Sequence, residues 1–175
     1  MAQDENALQW YAFRMRGHVP NESQRVAREA GFDTYYAMQR ELRDASYDVT
    51  TEQAIGARAV LPSIIFVRCT YEFARPMRNH RVMWPLCMPG TSEFAAISER
   101  EMEIFRAAVE SGCRNLEVID TNLATGQRVR VLDGIFKDHE GYIVKIRGDK
   151  RFVVSIPGVV ALATIYIPPH LLTRV

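Results

Sequence analysis

The last third of this chain alternates between apolar and polar residues and is interrupted by glycine turns. This pattern restricts the possible folds more than any other feature of the sequence. Gly126-Gln127-Arg128-Val129-Arg130-Val131 has a period of two, the spacing of a half-buried strand. Asp133-Gly134 supplies a turn. Tyr142, Val144 and Ile146 alternate again and lead into Gly148-Asp149. Phe152, Val154 and Ile156 mark a third strand. Pro157-Gly158 turns into a fourth, from Val159 to Ile167, which Pro168-Pro169 ends. Short strands separated by such turns predict a small all-β barrel or sandwich.

The first two thirds read differently. Leu8 to Met15 is rich in aromatic residues and predicts a strand. Gly17 and Pro20 close it. Asn21 and Gln24 have the spacing of a helix cap, and Gly31 is placed to end that helix. A second strand is predicted around Thr34 to Met38, and residues 41–57 read as a long hairpin or mobile excursion. Ile64 to Val67 form a buried strand, with Pro62 at its start. Tyr71 to His80 contains Pro76, so any helix there is short or kinked. Val82 to Met88 predicts another strand. Ser98-Glu99-Arg100-Glu101 is a capping box, with Ile97 and Met102 as its hydrophobic staple. Met102, Phe105 and Val109 then share one helical face, and Gly112 ends the helix. The residues therefore predict an α/β unit, a linker near Ser111 to Asn122, and a β-barrel of about fifty residues.

Composition excludes several function classes. At 47% hydrophobic and 25% charged, the chain is neither disordered nor membrane-like. No apolar run approaches the ~20 residues of a membrane helix. The acidic, polar start does not read as a secretion signal, so a cytoplasmic protein is expected. Cys69, Cys87 and Cys113 cannot all pair, and none lies in a CxxC unit. His18, His80, His139 and His170 sit in different elements and outside any metal or nucleophile motif. Glu101 and Glu103 are two apart on a helix and do not face each other. No catalysis, metal or cofactor is expected. Net charge is +1, yet residues 121–175 carry eight Lys/Arg against four Asp/Glu, and residues 1–111 thirteen against fifteen.

The span Gly126 to Ile143, with Val129 and Val131 inward, a turn at Gly134, an anchor at Phe136 and a tight return at Gly141, resembles a KOW motif. Trp10-Tyr11 at the start of the first strand, Leu61-Pro62-Ser63-Ile64-Ile65-Phe66-Val67, Arg81-Val82-Met83, Gly90-Thr91-Ser92 and Ile97-Ser98 with Glu101-Met102 are similar to the NusG N-terminal (NGN) domain. The order of the two parts is also that of the NusG family, which implies an α+β fold: a mainly antiparallel sheet flanked by helices over residues 1–111, a linker 112–122, and a small SH3-like KOW barrel over 123–175. The Leu61 to Val67 segment looks most like the UpxY-type paralogues, antiterminators of long polysaccharide operons.

The resemblance implies a transcription elongation or antitermination regulator, acting as a monomer and away from membranes. It would dock on the clamp helices of RNA polymerase, bridge the cleft and suppress pausing or termination. The implied polymerase-binding residues are Phe13, Ile64, Phe66, Trp84, Leu86, Met102 and Phe105. Non-template DNA, or nascent leader RNA, would be met by Arg16, His18, Arg25 and Arg28. Arg75 and Arg78, with Arg81, form a second basic cluster beside the position facing the polymerase gate loop. Ile156, Pro157, Gly158 and Val159 stand where housekeeping NusG carries an aromatic residue and an arginine for Rho or a ribosomal protein. That departure favours antitermination; housekeeping NusG and a KOW-containing RNA- or ribosome-binding protein are the alternatives. A ribosomal protein or an inhibitory regulator remains a further partner to consider. One relative hides its pocket under a helical C-terminal domain. Here Val, Ile and Thr dominate Val153 to Ile167 and disfavour helix, which predicts a stable barrel and an always-open pocket.

Overall fold

The computed structural model describes residues 6–40, 57–110, 116–119, 126–134, 136–156, 158–164 and 167–175. The first part of the chain runs β1 (Gln9–Met15), α1 (Pro20–Glu29), β2 (Asp33–Tyr35), β3 (Met38–Arg40), β4 (Ala57–Ala59), β5 (Ile64–Cys69), α2 (Tyr71–Ala74), β6 (Met83–Pro85), β7 (Ala96–Ile97) and α3 (Glu99–Glu110). The rest comprises β8 (Glu117–Ile119), β9 (Gln127–Val131), β10 (Glu140–Ile146), β11 (Asp149–Ile156), β12 (Val160–Ala163) and β13 (Leu172–Arg174). The fold is α+β, and every described strand pair is antiparallel.

β1 is the hub of a five-stranded sheet ordered β2-β5-β1-β6, with β7 also pairing with β1. Successive side chains of a strand point to opposite faces. Trp10, Ala12 and Arg14 therefore share one face, and Tyr11, Phe13 and Met15 share the other. α3 covers the first face with buried Met102, Phe105 and Val109. The Phe66 and Phe105 rings lie 5.0 Å apart. α1 and α2 cover the second face, where Ala27 and Ala74 join Phe13, Ile65, Val67 and Met83 in a separate core.

Local sequence rules explain most of the boundaries. At α3, Glu101 accepts from the Ser98 amide (2.8 Å) and hydroxyl (2.7 Å), and the Glu101 amide donates to Ser98 Oγ at 3.2 Å. The capping box is thus reciprocal. α1 differs from expectation: it begins at Pro20 rather than being capped by Asn21. Proline needs no amide partner in the first turn and its φ is already helical. Gly31, at φ +84°, follows the helix end. α2 lasts four residues and continues as a 3-10 turn from Arg75 to Asn79, with Pro76 near its start. The strand predicted over Thr34 to Met38 is divided between β2 and β3. β3 pairs with β4, and residues 41–56 lie outside the described set.

A six-stranded sheet follows, ordered β13-β9-β10-β11-β12-β8. Val129, Val131, Phe136, Phe152, Val154 and Ile156 are buried, as their alternation predicts. Gly141 is required for space: a Cβ there would lie 2.6 Å from both the Phe152 ring and the Val153 carbonyl. Tyr142, Val144 and Ile146 are only half-buried and pack around Val153 and Ala161 on the opposite side of the sheet. Two strands escaped the sequence reading. β8 lies inside the expected linker and pairs with β12, and β13 follows Pro168-Pro169 and pairs with β9. β12 ends at Ala163, short of the predicted Ile167.

The two sheets meet across α3. The Arg100 guanidinium donates to the Asp138 carbonyl at 2.8 Å. Gly158 lies against Met88 and Pro89, where a Cβ would sit 3.0 Å from Pro89 Cδ. Residues of α3, the first sheet and the second sheet belong to one continuous apolar cluster. No described helix is long and apolar enough to cross a membrane.

Candidate nucleic-acid interface

The residues read as one polymerase pocket do not line a common surface. Phe13 belongs to the core beneath α1 and α2, whereas Ile64, Phe66, Met102 and Phe105 belong to the core beneath α3. Phe13, Phe66, Met102 and Phe105 are fully buried, and Ile64 is 7% exposed. These five are packing residues here, because a small domain must bury its large apolar side chains. Leu86 is half-buried against the α3-side cluster. α3 covers this face of the sheet, and the C-terminal segment after it is built mainly of strands. Trp84 alone of the seven presents an aromatic ring that is partly exposed without belonging to either core.

The basic residues regroup in the same way. Arg25 is paired with Glu29 on α1 at 3.1 Å, and Arg28 is exposed in the last turn of that helix. Arg78 is engaged locally: it donates to the Ser92 carbonyl at 2.6 Å and lies 4.6 Å from the Phe94 ring centroid. Arg75 and His18 are exposed. Arg16 lies over the Trp84 ring at 5.8 Å.

Strand pairing creates the site. Arg14 stands directly opposite Trp84 across the β1–β6 ladder, and Met15 opposite Met83. The Arg16 amide extends the ladder by donating to the Val82 carbonyl at 2.8 Å. Residues opposed in a ladder share a face, so Arg14 lies beside Trp84 on the side from which Arg16 covers the ring. Exposed Arg81 and half-buried His80 immediately precede β6. Residues 7–21 and 73–92 contain Arg14, Arg16, Arg75, Arg78, Arg81, His18 and His80, and no Asp or Glu. The fold joins these two acid-free segments edge to edge. Arg14 and Arg81 have no ion-pair partner among the described residues. His80 Nδ1 accepts from the Val82 amide at 3.3 Å, which fixes the turn into β6.

An indole flanked by guanidinium groups can stack on a base and attract phosphate at the same time. The sequence reading named Trp84 and Arg16 but assigned them to different partners and passed over Arg14. The absence of carboxylates from both segments was the available signal.

The turn of the second sheet is not free either. Ile156 is buried, Gly158 and Val159 are half-buried, and Gly158 touches the segment after β6; Pro157 lies outside the described residues. Nearby, His139 has its pKa lowered by burial and then by the Arg100 charge, against the opposing pull of Glu103 and Asp138. Burial raises the Cys69 thiol to about 12, which keeps it protonated at neutral pH. Among the described residues, no group of three or more His, Cys, Asp or Glu could hold a metal ion. The chain matches no protein-family model and no curated protein.

Proposed function

We propose that this protein is a non-catalytic regulator of transcript elongation that contacts RNA polymerase and single-stranded nucleic acid through the corner around Trp84. The observation that carries this reading is the pairing of the two acid-free segments, which sets Arg14 opposite a half-exposed Trp84 and Arg16 over its ring, with exposed Arg81 just before β6. The resemblance to the NusG family, with an NGN domain followed by a KOW barrel, supplies the polymerase. An α+β unit preceding a sheet of short antiparallel strands is compatible with it. Antitermination on long operons of the polysaccharide type is the specific role the resemblance favours.

In this reading the protein acts by differential binding. A factor that grips the closed, elongating form of the enzyme more tightly than the paused form shifts the balance by that difference. Trp84 would anchor the polymerase contact beside the exposed strand, where Arg14, Arg16 and Arg81 hold phosphates. Phe13, Phe66, Met102 and Phe105 keep the sheet and α3 rigid beneath it. An RNA- or ribosome-binding role centred on the second sheet is less well supported, because Arg128 and Arg130 are both held by Glu140 at 2.7 and 2.6 Å.

The test is binding of the full chain to a clamp-helix fragment of RNA polymerase. Trp84→Ala is expected to weaken it by at least about tenfold, as truncation of an aromatic anchor does. No binding by the folded wild-type chain would overturn the polymerase reading.

A further inference from the structure

A second opening lies in the six-stranded sheet, and it shares no lining residue with the groove between that sheet and α3. It is a cavity of about 210 Å³ between β9–β10 and the returning segment that carries β13. Val129, Ile143, Ile167 and Leu172 make its apolar walls, with Lys150 and Arg174 at its lip. It is smaller than the roughly 300–1,000 Å³ clefts that hold whole small molecules. A single inserted side chain is the better match.

The charges around the cavity are unusual for this sheet. Lys150 stands directly opposite Lys145 across the β10–β11 ladder, an arrangement of like charges that destabilises a sheet unless something answers it. Asp149, next in sequence, projects to the other face by the period of two. The neighbouring carboxylates are already engaged. Glu140 holds Arg128 and Arg130, and Glu117 holds Arg147 at 3.3 Å and Arg151 at 3.1 Å. Among the described residues, no acidic side chain lines the cavity.

We infer that this cavity is a docking site for an acidic peptide segment of a partner protein, which inserts one apolar side chain while its carboxylates pair with Lys150 and Arg174. Nucleic acid suits it less well, because the described walls are aliphatic and, among the described residues, no aromatic face lines the cavity for a base. The site also differs from the turn at Gly158, against which Met88 and Pro89 lie. A partner can thus engage the second sheet while α3 stays covered. The inference does not depend on the polymerase reading, since it concerns a different surface.

The test is an NMR titration of the full, isotope-labelled chain. The probes are acetylated, amidated hexapeptides in which two leucines, isoleucines, phenylalanines or methionines are flanked by aspartates on each side. At least one is expected to saturate and to shift Ile143 and Leu172. Its asparagine counterpart should bind about tenfold more weakly, as should the Lys150→Glu/Arg174→Glu variant, whose unchanged spectrum elsewhere certifies its fold. Failure of all four peptides to saturate at millimolar concentration would overturn the inference. So would equal binding by the charge-reversed variant, or tighter binding of an oligothymidylate at the same residues.

Discussion

The β1–β6 corner of the first sheet and the β9–β11 part of the second use arginine in opposite ways. In the six-stranded sheet Arg128, Arg130, Arg147 and Arg151 all face carboxylates, two on Glu140 and two on Glu117. At the β1–β6 corner of the five-stranded sheet Arg14 stands opposite Trp84 and Arg81 just precedes β6, with no acidic residue in either contributing segment. Bulk charge gives the reverse impression, since residues 121–175 are basic in excess and residues 1–111 acidic. Net charge over a hundred residues averages out the arrangement that matters to a phosphate, which senses charges within about 10 Å at 0.1 M salt. An acid-free stretch is a better indicator than an arginine-rich one.

The largest effect is expected where the first sheet's aromatics are tested as core rather than contact. Phe66→Ala removes a fully buried ring beside Phe105 and is expected to lower the unfolding free energy by about 4 kcal/mol in urea titrations. A change near zero would return Phe66 to the surface and reopen the pocket. Next is the contrast itself. Reversing Arg14, Arg16 and Arg81 to Glu is expected to reduce affinity for a single-stranded oligonucleotide on the order of a hundredfold. Arg128→Gln/Arg130→Gln in the second sheet is expected to leave it nearly unchanged. Equal losses from the two variants would erase the distinction between the sheets.

Two smaller effects depend on pH. His139 has a lowered pKa, so the fold resists its protonation. Above the ordinary value of 6.5 there is no penalty. As pH falls from 6.5 towards the lowered value, the unfolded chain takes up the proton more readily and stability declines. The charged groups facing His139 are Arg100, Glu103 and Asp138. His139→Gln is expected to flatten that slope in a series of urea midpoints. Glu140 has a lowered pKa, chiefly through its hydrogen bond from Arg130 and then that from Arg128. Its contribution is complete above the ordinary carboxylate value and is lost as pH falls through the lowered one. Because its partners Arg128 and Arg130 are exposed and solvent screens both pairs, Glu140→Gln should shift the acid limb only slightly.

What could be read from sequence was whatever is local. The Ser98–Glu101 box, the stop at Gly31, the inward Val129 and Val131 and the tight return at Gly141 depend on neighbours a few residues away or on strict alternation. β8 and β13 escaped because three-residue strands carry too little pattern, and both become strands only by adding to a sheet already formed. The helix start moved from Asn21 to Pro20 because proline's fixed φ outweighed a side-chain cap. The candidate site was legible only in pieces. Trp84, Arg16 and His18 were singled out, but Arg14 joins them through a ladder between residues about seventy positions apart, and no periodicity encodes that register. Burial, too, is a tertiary property: Phe13 and Phe66 look alike in sequence and lie in different cores.

The most direct test of the central claim is the salt dependence of single-stranded oligonucleotide binding by the full chain, compared with Arg14→Gln/Arg16→Gln/Arg81→Gln. Each phosphate contact on a single strand contributes about 0.7 to the slope of log affinity against log salt. The variant is expected to lose about 2 from that slope while its fold is unchanged. An unchanged slope would show that the corner around Trp84 holds no phosphate and would contradict the account.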